Sequence, residues 1–442
     1  MTEYLNRRTY EHRLPSRRCL RALLIVFLMQ MGVGFHGEAL NAADWPGWRG
    51  PTGNGTTEEK KLPLTWDGKT GENVVWKASL KGTTGHSSPI VWGDRVFVTT
   101  AAKQTREEEN NKEIPTHHLA CFKTADGQLL WNTQIPSGKQ VAGYAIYASP
   151  TPVTDGKAVY VWFGSAVVAA VDFAGKLLWS HERTGEFQLN PGITSSPIIY
   201  RDTLVLISDQ NRDNGFLQGL DLKTGDVKWE TKRKQVGACN ATPLLASING
   251  KTQMIVAATN KLQGLNPETG EPIWWCRGWG FGSSPVYSGG LVYADRGGNE
   301  PAQAVDPTGT GDVTATHVKW KIDRLPGDYS SPVISGDFIY RAQAEGVVSQ
   351  YRLSTGEKLG THRLEGLSKL ASPIATADGR VYFASAGVSH VIEVGPEFKV
   401  LSTNRLDQGG NNVGASPAVV NGRIYLRNFE NLFCVGEKQG AE

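Results

Sequence analysis

No two of the five cysteines in this chain are adjacent, and none stands in a Cys-x-x-Cys pair. That removes the zinc-ribbon and dithiol-redox readings, and the four beyond the N-terminal segment, Cys121, Cys239, Cys276 and Cys434, are too few for a disulfide scaffold. They read as small buried packing residues, with a bond between Cys239 and Cys276 left open. There is no Gly-x-Ser-x-Gly, no phosphate-binding glycine loop and no His-Glu-x-x-His, so no common catalytic motif is present. Methionine is scarce, with 4 residues, and no amphipathic helical period persists, which argues against a helical fold. Nor does any apolar run reach the ~20 residues that a membrane-spanning helix needs.

The formal charge of +3 is also an absence in disguise. Arg7, Arg8, Arg13, Arg17, Arg18 and Arg21 precede the apolar run Ala22 to Val33, and residues 1–42 read as an export signal cleaved after Ala39, Ala42 or Ala43. Residues 1–39 contain those six arginines and three glutamates, so the remainder has 40 basic and 40 acidic side chains. A neutral mature chain has no electrostatic footprint for nucleic acid, and stable membrane insertion after signal removal is not expected. The expected destination is the periplasm or cell envelope.

What the chain does have is glycine, proline and repetition, with 51 Gly and 22 Pro. The stretch from Ser149 to Trp179 holds four short strand patterns in about thirty residues. A Ser-Pro or Thr-Pro pair opens each such unit, the prolines being Pro89, Pro152, Pro197, Pro243, Pro285, Pro332, Pro373 and Pro417. In four units a Gly precedes a Trp by four residues, from Gly127–Trp131 to Gly270–Trp274, and Trp320 closes a fifth. Four strands repeated at this period predict an all-β, eight-bladed β-propeller of four-stranded antiparallel blades over residues 73–436, with a tail at 437–442. The eighth unit lacks an outer strand, and Asn73 to Lys77 supplies one with Trp76 in register, so an N-terminal strand is expected to complete the last blade. Units six and seven carry Leu359-Gly360 and Leu401 in place of Trp, which predicts looser packing there. Residues 43–72 read as an irregular strap over the ring.

The unit VTDGKAVYVWFGSAVVAAVDFAGKLLW and the Gly-x-x-x-Trp spacing resemble the pyrrolo-quinoline quinone (PQQ) repeat propellers, in which a Trp of one blade docks on its neighbour. That resemblance gives the docking role to Trp76, Trp131, Trp179, Trp229, Trp274 and Trp320. Short loops, the segment WPGWRGP and SDQNRDNGFLQGLDLKTGDVKW are most similar to exported BamB-like proteins. The resemblance implies a non-catalytic scaffold, without cofactor, whose partner is an envelope protein or peptide segment. An alternative is a quinoprotein dehydrogenase using PQQ with calcium, against which stands the missing Cys-Cys pair. Another is a carbohydrate-binding propeller.

Propeller geometry places the loops between blades on one face with those joining second and third strands. That candidate ligand face carries Tyr144, Tyr147, Arg212, Arg277, Trp279, Phe281, Arg296, Asn299, Tyr329 and Asn411, with the loop Gly164-Ser165-Ala166 beside them. Aromatics mixed with amides and arginines suit a peptide, strand or sugar. The run from Asp209 to Gly215 alternates oxygen ligands as a calcium loop does, but lacks a terminal bidentate Glu and reads as an Asx-rich hairpin loop. Residues 103–118 read as a mobile solvated insertion whose adjacent histidines, His117 and His118, point to opposite sides of a strand.

Overall fold

The structure is a computed structural model and describes residues 44–138, 147–183, 193–210, 214–234, 236–278, 282–295, 300–325, 330–368, 370–407 and 414–437. These form a propeller of eight antiparallel blades around one axis. In the second blade the four strands are Val153–Thr154, Ala158–Trp162, Val167–Asp172 and Leu177–Glu182, running outward from the axis. The outer strands of the first seven blades are Leu129–Ile135, Leu177–Glu182, Val227–Arg233, Pro272–Arg277, Val318–Leu325, Lys358–Arg363 and Lys399–Arg405. The expected closure is present: Val74–Ser79 pairs antiparallel with Asn431–Val435, with Trp76 opposite Cys434.

The Ser/Thr-Pro pairs form a second closure, at the axis. Proline has no N–H, and it holds the preceding residue extended. That residue's own N–H donates to the hydroxyl of its counterpart in the next blade: Ser88 to Thr151 (2.9 Å), Thr151 to Ser196 (3.0 Å), Ser196 to Thr242 (3.0 Å) and Thr242 to Ser284 (2.8 Å). The series continues from Ser284 to Ser331 (2.9 Å), Ser331 to Ser372 (2.9 Å), Ser372 to Ser416 (3.0 Å) and Ser416 back to Ser88 (2.9 Å). Eight blades are thus joined by one unbroken circle of hydrogen bonds, which satisfies backbone groups that would otherwise be buried unpaired. This is why a hydroxyl residue precedes the proline in every unit.

Outside this ring, tryptophan docking holds the blades. Nε1 of Trp76, Trp131, Trp179 and Trp320 donates to the carbonyl oxygens of Thr124, Phe173, Leu222 and Leu353 in the following blade, at 2.7 to 3.0 Å. The turn glycine of that blade lies under the ring, and a Cβ on Gly127 would come within 2.6 Å of Trp76. Trp229 packs on Gly270 in the same way, though its N–H has no partner. Trp274 differs: it donates to Gln253 of its own blade (2.7 Å), and Gln253 reaches Pro307 O of the fifth blade (3.4 Å). The fifth blade has no tight Gly turn at that point, so the contact is relayed.

Small residues stand directly opposite these rings. Cys121, Ala170, Gly219, Gly264, Ala304 and Cys434 pair with Trp131, Trp179, Trp229, Trp274, Trp320 and Trp76. All four described cysteines are free and buried, so Cys239 and Cys276 are not bonded to each other. In the sixth blade the pair is exchanged, Gln350 standing opposite Gly360. Gln350 Nε2 then donates to Gly395 O of the seventh blade, and His362 stacks on Phe398 at 3.9 Å. In the sixth blade an amide and a ring pair thus stand where other blades dock a tryptophan.

The strap crosses the face of the hairpin turns. Trp45 bridges to Val91, Gly93 N–H donates to Asp44 (2.8 Å), Thr56–Thr57 runs parallel to Ala375 and Thr376 on the inner side of the seventh blade, and Glu59 accepts from Asn421 and Gly422 in the eighth. Trp45 and Trp66 are buried. The 103–118 insertion is not all loop. Arg106–Asn110 forms a short exposed helix, capped by Thr105 and Glu108 in a reciprocal box.

Candidate functional site

The described residues enclose a channel cavity of about 310 Å³ on the propeller axis. Its wall is the hydroxyl circle, represented by Thr151, Ser196, Thr242, Ser284, Ser372 and Ser416. Trp48 of the strap lines one end, while His86, Asn240, Leu370 and Gly414 belong to the loop-side end. His86 is held by Gly414 N–H on Nδ1 (2.8 Å) and by an edge contact with Phe429. Burial and, secondarily, the Arg427 guanidinium lower its pKa to about 4.

Of the ten residues expected on the ligand face, only Tyr147 and Arg277 are among the described residues. Tyr144, Arg212, Trp279, Phe281, Arg296, Asn299, Tyr329 and Asn411 lie outside them, as does the export segment 1–42. Arg277 is exposed at the end of its outer strand, its N–H donating to Thr314 (3.1 Å). Tyr147 is only 8% exposed, and its ring packs against His117. The loop from Gly164 to Ala166 is likewise interior: Ser165 is fully buried and hydrogen-bonded to His117 Nε2 at 2.7 Å, with Phe163 stacked on the imidazole at 4.6 Å. The repeat leaves this loop free in sequence, but the His117 strand covers it. His118 is half-buried, so the two histidines do face apart. Burial, with a smaller repulsion from His118, takes the His117 pKa down to about 4.

Two neutral histidines, His117 buried and His86 half-buried, carry a pH signature. Their folded-state pKa lies below the unfolded value of about 6.5, so the unfolded chain binds more protons between pH 6.5 and 4. Stability from these groups is complete above pH 6.5 and is lost as pH falls toward 4, with a slope of up to about 1.4 kcal/mol per pH unit for each. Denaturant melts across this window are expected to show that slope, flattened in His117→Phe; an unchanged slope would count against the assignment.

The calcium reading meets a competitor at its first ligand. Asp209 is buried and engaged on both oxygens by Arg233, through Nε and through Nη2 at 2.9 Å. No carboxylate is among the described residues of the channel wall, and no group of three or more His, Cys, Asp or Glu that could hold a metal occurs among the described residues. The described residues by themselves supply no ligand set for a calcium–quinone centre.

A family model described as outer membrane protein assembly factor BamB matches residues 56–240 and 213–391. The chain belongs to that family. Among solved structures similar to it, BamB from Moraxella catarrhalis has 15% identity and a TM-score of 0.59, covering 84% of this chain and 98% of that one. The computationally designed Ika8 protein has 12% identity and a TM-score of 0.56, over 82% and 99% of the two chains. A europium-containing methanol dehydrogenase has 10% identity and a TM-score of 0.53, over 87% and 89%. At such identities these likenesses concern the fold alone, which carries both kinds of protein. A search of curated proteins finds no match. No helix among the described residues is long and apolar enough to cross a membrane.

Proposed function

We propose that this protein is a non-catalytic binding or assembly scaffold of the cell envelope, and that it takes a partner protein on the outer edges of its first three blades. Family membership supports the scaffold class, and one observation carries the surface. Leu129 (51% exposed), Leu130 (40%), Leu178 (49%) and Val227 (47%) are large apolar residues at the start of the outer strands of three consecutive blades. An exposed strand edge with apolar side chains is a template for strand addition. The fourth blade shows the geometry within the chain itself, since Gly311–Asp312 adds to the outer strand parallel to Trp274 and Trp275. Val313 N–H extends that pairing to Trp275 O at 2.9 Å.

A photoreactive amino acid placed at Leu130, Leu178 or Val227 in the producing cell tests this, with Lys60 on the strap as control. Discrete cross-linked species are expected from the three edge positions and are expected to vanish when a second edge residue is made Lys. Equal labelling at Lys60, or labelling insensitive to the Lys substitution, would sink the proposal.

A further inference from the structure

Each hydroxyl of the axial circle accepts an N–H from the preceding blade, which leaves it one hydrogen to donate. Six of the eight line the channel cavity, and the described residues offer those hydrogens no bonded acceptor. His86 adds to the same polarity. Because its Nδ1 accepts from Gly414, the neutral ring carries its hydrogen on Nε2 and can only donate there.

Behind this wall stand two cations that no described carboxylate pairs with. Arg427 is 2% exposed, donates to Ser87 Oγ (3.1 Å) and Thr99 O (2.9 Å), and keeps Nη2 unpartnered. Arg49 is 1% exposed, donates to Pro332 O (2.6 Å) beside the circle, and keeps Nε and Nη1 unpartnered. Burial lowers their pKa to about 10 and about 9, which still leaves both charged at neutral pH. The buried Arg341 and Arg233, by contrast, each have an aspartate. Hydroxyl donors set in a largely apolar wall, without described carboxylates and backed by two buried positive charges, favour a ligand made of acceptors with negative charge.

We propose that the axial channel is an oxyanion-binding site, taking a carboxylate, phosphate or sulfate from the loop side while Trp48 closes the strap side. Calorimetric titration of the purified chain with sulfate, phosphate and citrate at fixed ionic strength, and with glycerol as neutral control, separates the sources. Saturable binding of at least one oxyanion is expected, with none for glycerol. Arg427→Gln is expected to weaken it by about tenfold or more, equivalent to about 1.4 kcal/mol, while Arg427→Lys stays within about threefold. Identical binding to wild type and Arg427→Gln, or a response that follows ionic strength alone, would overturn the site. Should Arg427→Gln fail to fold, anomalous diffraction from selenate-soaked wild-type crystals decides: a peak within the hydroxyl circle supports the proposal, and none there overturns it.

Discussion

Removing residues 44–79 is expected to abolish cooperative folding of the ring. The segment contributes the whole outer strand of the eighth blade, and Trp76 from that strand joins it to the first blade through Thr124 O. Its loss would expose Leu432, Phe433 and Cys434 on an open sheet edge, all of which are at most 2% exposed in the closed ring. It would also remove Trp45, Leu62 and Trp66 from the largest core cluster. A graded version is Trp76→Ala, which deletes a ring only 8% exposed and should cost about 3–5 kcal/mol. Chemical denaturation followed by tryptophan fluorescence and circular dichroism measures both. A truncated chain that unfolds in one transition at the wild-type midpoint would refute closure by this strand, because the hydroxyl circle alone would then suffice.

Asp295→Asn is the point substitution with the next largest effect. Asp295 and Arg341 are both fully buried, and the carboxylate receives Nε at 3.0 Å and Nη2 at 3.0 Å across the interface between the fifth and sixth blades. Neutralising one partner leaves a guanidinium charge in a medium that cannot solvate it, at a cost of about 3–5 kcal/mol. Replacing both, as Asp295→Leu with Arg341→Met, should recover most of that loss, since the desolvation cost of two ions disappears with their attraction. Equilibrium unfolding of the two single variants and the double variant gives the coupling. If Asp295→Asn lowers the unfolding free energy by less than about 1 kcal/mol, the pair is not carrying the interface.

Much of the ring was legible because blade construction is local. A Trp four residues after a turn Gly and a Pro after a hydroxyl each report a nearby backbone demand, so eight units and the borrowed N-terminal strand could be counted from spacing alone. The hydroxyl before proline was visible in every unit, yet its bond runs to a residue 41 to 63 positions away, or 328 for the closing pair, and no local pattern encodes that partner. The sixth blade shows the same gap. Gly360 in place of Trp reads as a weakness until Gln350 is found opposite it, doing the docking from the neighbouring strand.

The candidate site was less legible, for a related reason. Tyr147 and Ser165 sit in loops, and loop position predicts exposure only on average. Here a strand from the first blade brings His117 between them and buries all three. Composition, turn chemistry and repeat spacing by themselves determined the class of fold, the number of blades and the way the ring closes, since each depends on residues close in the chain. Burial, the pairing of Arg341 with Asp295 and Arg233 with Asp209, and the convergence of eight hydroxyls on one axis with Arg427 and Arg49 behind them were decided only by tertiary structure. Charge and hydrogen-bond balance are properties of neighbours in space, and a propeller brings its neighbours from eight separate stretches of chain.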